Sequence, residues 1–182
     1  MTKEKQKRRK ILQAANQLLN EKGLADFTID EVAKVAGYSK GGVTYYFANK
    51  DQLLVDLAKM LDQEYIERID QLGDKPESLP GEWSRALLKV AREDLNSSSD
   101  ITNALIAGTM ASQSVEHSFF DSFEVIQRRL TTDGYDPVLG TIIRLAVDGM
   151  YYNQLFDGQP LEAELESKVF EQLVSWTEEK IN

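Results

Sequence analysis

Residues 28–50 read TIDEVAKVAGYSKGGVTYYFANK and predict two short helices joined by a tight turn. Thr28 and Glu31 have the spacing of a capping box, in which each side chain satisfies the backbone N–H of the other. Gly37 is a natural end for the first helix, and Ser39 can cap the second. The residues AGYS therefore form the turn of a helix-turn-helix, with glycine where a tight turn requires it.

The second helix of this motif is expected from Lys40 to about Phe47. Val43 and Phe47 are four residues apart, so both should point into the core. The outer face then carries Lys40, Gly41, Thr44 and Tyr45, with Tyr46 at its flank. Two adjacent glycines near a helix start each cost up to about 1 kcal/mol relative to alanine. Close approach of another backbone, here DNA, is a physical reason to retain them, and a merely weak, loop-like helix is the alternative.

Helical periodicity continues on both sides of the motif. A first helix is expected from about residue 4 to Lys22, and Asn49 can cap a long fourth helix that runs to about Leu72. The sequence GDKPESLPG at 73–81 marks a loop, since it holds two prolines and two glycines. The fourth helix begins at the motif and ends in the rest of the chain, so we expect it to link a head mechanically to a body.

The body is expected to contain five further helices and no strands. Their apolar residues recur at helical spacing, and polar or turn-forming stretches separate them. The helices are expected at about 83–95, 101–114, 119–130, 138–156 and 161–181. The helix at 138–156 is apolar on more than one face, which suggests that a partner chain covers the side that the body cannot bury.

Charge is unevenly distributed along the chain. The formal net charge is −9, but residues 1–50 carry +5 and residues 51–182 carry −14. Six of the basic residues lie between positions 3 and 10. A basic head and an acidic body are typical of a protein whose head approaches phosphates while its body is kept away from them. A solvated basic tail is the alternative interpretation.

Several classes of protein are disfavoured by the sequence. The chain has no cysteine, which excludes a disulfide framework, a thiolate metal site and a cysteine nucleophile. Because no apolar run approaches roughly 18 residues, we expect no membrane association and a cytoplasmic protein. No nucleophile elbow, phosphate loop or dinucleotide fingerprint indicates an enzyme or a cofactor. His117 lies near Glu116 and Asp121, but a metal site needs more convergent ligands, so none is expected.

The basic first helix and the segment TIDEVAKVAGYSKGGVTYYFANKDQLL at 28–54 resemble the TetR family of bacterial transcriptional regulators. The similarity extends over about residues 8–60 in order, spacing and residue type. It implies an all-α fold with a three-helix DNA-binding head at residues 1–50. A long fourth helix links this head to the body, a helical ligand-binding and dimerisation domain at residues 51–182. The body itself matches only in helix number and in having its most apolar pair of helices last.

The resemblance implies contacts with DNA at particular positions of the head. The candidate DNA-binding residues are Thr28, Ser39, Lys40, Gly41, Thr44, Tyr45, Tyr46 and Lys50. A helix N-terminus with a lysine is a ready site for phosphate, and contacts from an outer helix face to base edges would supply sequence specificity. The family commonly has threonine where this chain has Gly42 and tyrosine where it has Thr44. Those phosphate contacts are therefore either absent here or made by the neighbouring tyrosines.

The resemblance further implies a homodimeric repressor on a palindromic double-stranded DNA operator, paired through the helices at about 138–156 and 161–181. A small-molecule effector would release it. Candidate ligand-facing residues are Trp83, Met110, Gln113, Phe119, Phe123, Met150 and Tyr151, a set that is also typical of plain core. Two alternatives remain at this point: an architectural or protein-recruiting DNA-binding factor without a ligand, and a helical ligand-binding or catalytic protein whose head does not read DNA.

Overall fold

The computed structural model describes residues 2–23, 25–74, 79–96, 116–155 and 161–178, with the backbone alone for residues 116–121 and 155. Within these ranges the chain forms eight α-helices and no β-strand, which confirms the expected all-α class. They are α1 (Lys3–Lys22), α2 (Ile29–Ala36), α3 (Lys40–Thr44), α4 (Lys50–Gly73), α5 (Glu82–Leu95), α6 (Glu116–Thr131), α7 (Pro137–Leu155) and α8 (Ala163–Trp176). The helix expected at 101–114, with Met110 and Gln113, lies outside the described residues, as does the side chain of Phe119.

The described residues belong to two compact units. The first contains residues 2–62 and 116–119, and the second contains residues 63–96 and 120–178. Helix α4 begins in the first unit and ends in the second. It is a single continuous helix of 24 residues, as its regular apolar spacing predicted.

The first unit is held together by an apolar core among α1, α2 and α3. Its fully buried side chains include Ile11, Ala15, Leu18, Phe27, Val32, Val43 and Phe47. Phe27 and Phe47 lie outside the helices and close the core, and Val43 points inward as expected. Full burial of one leucine or phenylalanine side chain contributes roughly 1.5–3 kcal/mol. The core therefore fixes the orientation of α3 more strongly than the ion pairs on the surface.

Helix α3 is shorter than the sequence predicted, because it ends at Thr44 rather than near Phe47. Beyond it, the N–H of Tyr46 donates to the carbonyl of Val43 at 3.0 Å, a tighter i to i−3 bond than the α-helical one. The adjacent glycines of α3 have low helix propensity, and Asn49 must leave helical geometry to cap α4. These two constraints explain the early end of α3.

In the second unit, α5 packs against α7 and α8, and a residue distant in sequence caps its N-terminus. The N-cap residue of α5 is Gly81, which has no side chain to offer. The carboxylate of Asp133 takes this role by accepting bonds from the backbone N–H groups of Trp83 at 2.9 Å and Ser84 at 2.8 Å. It also accepts the hydroxyl of Ser84 at 3.0 Å. The loop after α6 therefore supplies the cap of α5.

Polar side chains of α4 tie its second half to the other helices of this unit. Arg68 donates to the buried carboxylate of Asp94 on α5 at 2.6 Å, and the hydroxyl of Tyr151 on α7 donates to the other oxygen of that carboxylate at 3.2 Å. Asp70 pairs with Arg129 on α6, with one of the two contacts at 2.9 Å. Residues 63–73 are therefore anchored to α5, α6 and α7.

Candidate DNA-binding surface

Local caps fix the shape of the α2–turn–α3 motif. The hydroxyl oxygen of Thr28 accepts the backbone N–H of Glu31 at 3.2 Å, and that of Ser39 accepts the N–H of Gly42 at 3.1 Å. Gly37 ends α2 in the left-handed conformation, with φ of 73°. All three features confirm the sequence prediction. Because each capping hydroxyl accepts through its oxygen, its hydrogen can still be donated to a phosphate.

The second half of the predicted capping box is replaced by ion pairs. The carboxylate of Glu31 pairs with Lys34 and, at 3.2 Å, with Lys22 instead of reaching back to the N–H of Thr28. The hydrogen bond from Lys34, followed by that from Lys22, holds the pKa of Glu31 below its ordinary value. Two ammonium groups outcompete a neutral backbone donor, because charge-assisted hydrogen bonds are roughly twice as strong.

The outer face of α3 is exposed as the sequence predicted. It presents Lys40, Gly41, Thr44 and Tyr45. Tyr45 is 75% exposed, and its ring meets the half-buried ring of Tyr46 edge-on, with 5.0 Å between centroids. A Cβ added at Gly41 would have no close neighbour within 4 Å among the described residues. The packing of the head therefore does not require glycine there, and an external backbone remains a reason for it.

The N-terminus of α4 forms a second cationic feature of the head. The side chain of Asn49 caps the helix by accepting the N–H of Gln52 at 2.8 Å. The ammonium of Lys50 lies 5.4 Å from the ring centroid of Phe27, which holds it near the helix start. Lysine and helix dipole together make this end attractive to an anion.

A groove of about 410 Å³ lies between the basic start of α1 and the outer side of α3. Its lining residues are Glu4, Lys7, Tyr38, Gly42, Tyr45 and Tyr46. The ammonium of Lys10 lies 5.6 Å from the ring centroid of Tyr38. Tyr38 is not among the residues predicted from the sequence, although its position as an aromatic residue beside the turn glycine was an available signal. The fold thus brings the basic N-terminal segment next to the predicted reading helix.

Two of the four described ligand candidates, Tyr151 and Trp83, have an aromatic or cationic neighbour within the second unit. The buried ring of Tyr151 meets that of Tyr65 edge-on, with 6.1 Å between centroids. The guanidinium of Arg129 lies 4.8 Å from the centroid of the half-buried Trp83 ring. Phe123 and Met150 are also half-buried. A ligand-facing role for these four side chains stays a prediction.

The described part of the chain presents neither a metal-binding cluster nor a membrane-spanning helix. There, no group of three or more histidine, cysteine, aspartate or glutamate residues is arranged to hold a metal ion. None of the helices described combines the length and the apolar character needed to cross a membrane.

Two protein-family models match the sequence. The model of the bacterial regulatory proteins of the tetR family matches residues 11–57, and the tetracyclin repressor-like C-terminal domain matches residues 81–178. The chain belongs to the TetR family. TetR-family members are DNA-binding transcriptional regulators rather than enzymes, in agreement with the class expected from the sequence. The first model covers α2, α3 and the adjoining parts of α1 and α4, and it begins just after the basic residues at 3–10.

Three individual proteins similar to this TetR-family chain are 22–33% identical to it over the matched residues. The regulator BetI 1 of Chromohalobacter salexigens is 32% identical over 82 residues, which is 45% of this chain and 41% of BetI 1. EthR of Mycolicibacterium smegmatis is 33% identical over 105 residues, 57% of this chain and 46% of EthR. The chain thus spans less than half the length of either regulator. The solved structure of the multidrug binding protein EbrR complexed with ethidium has a TM-score of 0.65 and 22% identity, covering 92% of this chain and 98% of EbrR.

Proposed function

We propose that this TetR-family protein is a homodimeric repressor that binds a palindromic operator in the cytoplasm and is released by a small-molecule effector. The observation that carries the proposal is the outward face of α3, held in place by caps and a buried core. We assign DNA binding to residues 1–50 and dimerisation with ligand binding to residues 51–182. Double-stranded DNA and a second copy of the chain are the partners.

The chemistry of the α3 surface suits the major groove. Lys40 can donate to the O6 and N7 acceptors of guanine, and the exposed ring of Tyr45 can contact a thymine methyl or the sugar-phosphate backbone. Thr28, Ser39 and Lys50 supply donors for phosphates. In this division of roles, the helix-start residues set the register on the duplex, and α3 reads the sequence.

Substitution of Lys40 or Tyr45 by alanine is expected to weaken operator binding by about 5- to 150-fold for each half-site, the range for loss of one good base contact, and the dimer loses one such contact in both half-sites. The probe is a duplex that the wild-type protein selects from a randomised DNA pool, and fluorescence anisotropy at fixed salt gives Kd. Lys59→Ala is the matched control, since it removes one exposed lysine from α4. Wild-type affinity in both the Lys40→Ala and Tyr45→Ala proteins would rule out the base-reading assignment.

An apolar stripe on α7 supports the dimer. Val138, Ile142, Leu145 and Tyr152 are 63%, 41%, 55% and 44% exposed. They recur on one helical face, whereas the opposite face of α7 is buried within its own protomer. Gly149 falls on the same stripe, and a Cβ there would meet nothing within 4 Å among the described residues. Leu161 and Leu165, beside and within α8, add further exposed apolar surface. An interface through 138–156 and 161–181 would cover both areas.

A two-fold interface of this kind relates the heads by the same symmetry. In such an interface, if one residue contacts a second residue of the partner, the second also contacts the first in the partner, so a single patch serves both protomers. Two α3 helices would then enter successive major grooves about one helical turn apart. This geometry is the reason for expecting a palindromic operator.

The polar anchor of α4 supports a route for effector control. Tyr151, a candidate ligand-facing residue, bonds to the same carboxylate of Asp94 that holds Arg68 of α4. A ligand that displaced Tyr151 would disturb this anchor. Because α4 is continuous from Lys50 to Gly73, a shift of its second half can be transmitted to the heads and alter their spacing.

Effector and operator are expected to weaken each other by the same factor, because coupling between two binding sites is reciprocal. A compound is first selected from a chemically diverse panel by its increase in the melting temperature of the protein. Its Kd is then measured by calorimetry with and without saturating selected duplex, and the Kd for the duplex is measured with and without the compound. Equal compound affinity in both states would contradict effector release.

A further inference from the structure

We propose that Asp30 is a specificity-determining residue. Its carboxylate positions Lys40 to bond to a base edge of the operator and weakens the attraction of Lys40 to the phosphates of unrelated DNA. The inference rests on the proposed binding of an operator by α3. It adds to that function a residue of α2 that discriminates operator from other DNA.

The geometry that suggests this role is an ion pair across the helix-turn-helix. Asp30 lies in the first turn of α2, and Lys40 is the first residue of α3. The Lys40 ammonium donates to a carboxylate oxygen of Asp30 at 2.8 Å. The two side chains are 56% and 64% exposed, so both remain accessible to a partner. Lys40 shares its outward face with Thr44 and Tyr45, which places the pair at the edge of the predicted reading surface.

Stabilisation of the fold is a weak reason for this pair. Exposed ion pairs contribute about 0–1 kcal/mol to stability, and an acidic residue in the first turn of a helix adds a comparable amount. The effect on DNA binding is of a different kind. A carboxylate at a surface that meets DNA repels phosphates, and it reduces the number of counterions that Lys40 can displace.

The pair can distinguish two kinds of DNA because an ammonium has three hydrogens. With one hydrogen on Asp30, Lys40 still has two for the acceptors of a correctly placed base. On DNA that lacks that base, Lys40 gains no base contact, and the carboxylate of Asp30 beside it offsets the attraction of the ammonium to phosphates. Asp30 therefore weakens binding to unrelated DNA more than binding to the operator.

The test is Asp30→Asn, which removes the charge and keeps an oxygen acceptor for Lys40. Kd is measured for the selected duplex and for a scrambled duplex at several salt concentrations. We expect affinity for the scrambled duplex to rise about two- to fivefold for each head that contacts it, as suits one exposed charge pair per head. Its salt dependence should steepen by about one released counterion per head. Affinity for the selected duplex should change less, so the ratio of the two affinities falls.

Asp26→Asn is the matched control, because Asp26 is an exposed acid in the connection before α2. In a Lys40→Ala background, Asp30→Asn should have no more effect than Asp26→Asn. Equal effects of the two aspartate substitutions in the wild-type background would overturn the inference. Failure of the wild-type protein to prefer its selected duplex over the scrambled one would instead reject the operator-binding function itself.

Discussion

Leu145→Glu is expected to convert the proposed dimer into monomers and to weaken binding to a two-site operator by about a hundredfold or more. Leu145 is 55% exposed at the centre of the apolar stripe on α7, with Ile142 one turn before it and Gly149 one turn after it. In a two-fold dimer the interface would bury two new carboxylates, one from each protomer, among apolar side chains. Burial of two like charges in an apolar interface costs several kcal/mol, which exceeds what one leucine contributes to the same contact.

Size-exclusion chromatography with light scattering measures the mass of the variant, and anisotropy measures its affinity for the full operator and for an isolated half-site. Binding to the half-site should be unchanged, because the first unit holds the reading surface and Leu145 is in the second. Gln71→Glu adds the same charge at an exposed position of α4 and should leave the dimer intact. A Leu145→Glu protein that stays dimeric would show that this face of α7 is not the interface.

The features of the head that could be predicted from the sequence are those fixed within one helical turn. Thr28, Ser39 and Asn49 cap helices whose N–H groups lie three residues further along the chain. Gly37 ends its helix through its own backbone conformation. Such short-range chemistry depends on residue type and spacing alone. The helix order and the outward face of α3 follow from it, together with the inward direction of Val43.

The contacts that could not be predicted join residues far apart in sequence. Asp133 caps α5 from 50 residues away, and Arg68 meets Asp94 across 26. The pair of Lys40 with Asp30 depends on the crossing of α2 and α3, which periodicity does not encode. The helix dipole alone is enough to explain an acidic residue such as Asp30 in the first turn of a helix, so the sequence gives no sign of its partner Lys40. The candidate reading surface could therefore be predicted, but the charge that modifies it could not.

The contacts of the aromatic residues in the body could not be predicted from the sequence either. Trp83 and Tyr151 lie at helical spacing, which is equally typical of core and of a ligand cavity. In the structure the guanidinium of Arg129 lies over the ring of Trp83. The hydroxyl of Tyr151 and the guanidinium of Arg68 on α4 both donate to the carboxylate of Asp94. Both side chains thus take part in polar contacts between helices, a role that apolar periodicity does not distinguish from packing.

Gly81→Ala is expected to lower the free energy of unfolding by about 2–5 kcal/mol, the sum of backbone strain and steric overlap. Gly81 has φ of 81°, where an L-residue places its Cβ against its own backbone. A Cβ there would also lie 2.7 Å from the carbonyl oxygen of Thr177. The backbone of Gly81 cannot move away freely, because its N–H donates to the carbonyl of Asp133 at 2.8 Å and its own carbonyl accepts the N–H of Arg85 at 2.9 Å.

Comparison with Gly134→Ala separates the two causes within the same unit. Gly134 also has positive φ, 76°, but its added Cβ would lie 3.5 Å from Pro80, an ordinary contact. That substitution should cost only the strain of about 1–2 kcal/mol. Chemical denaturation followed by circular dichroism measures both variants. Thr177 follows α8, and Gly81 precedes α5. If Gly81→Ala loses more free energy of unfolding than Gly134→Ala, the close approach of Gly81 and Thr177 is a fixed contact between the ends of these two helices. Equal losses for the two variants would mean that the contact yields at little cost, and only the backbone conformation of Gly81 would then require glycine.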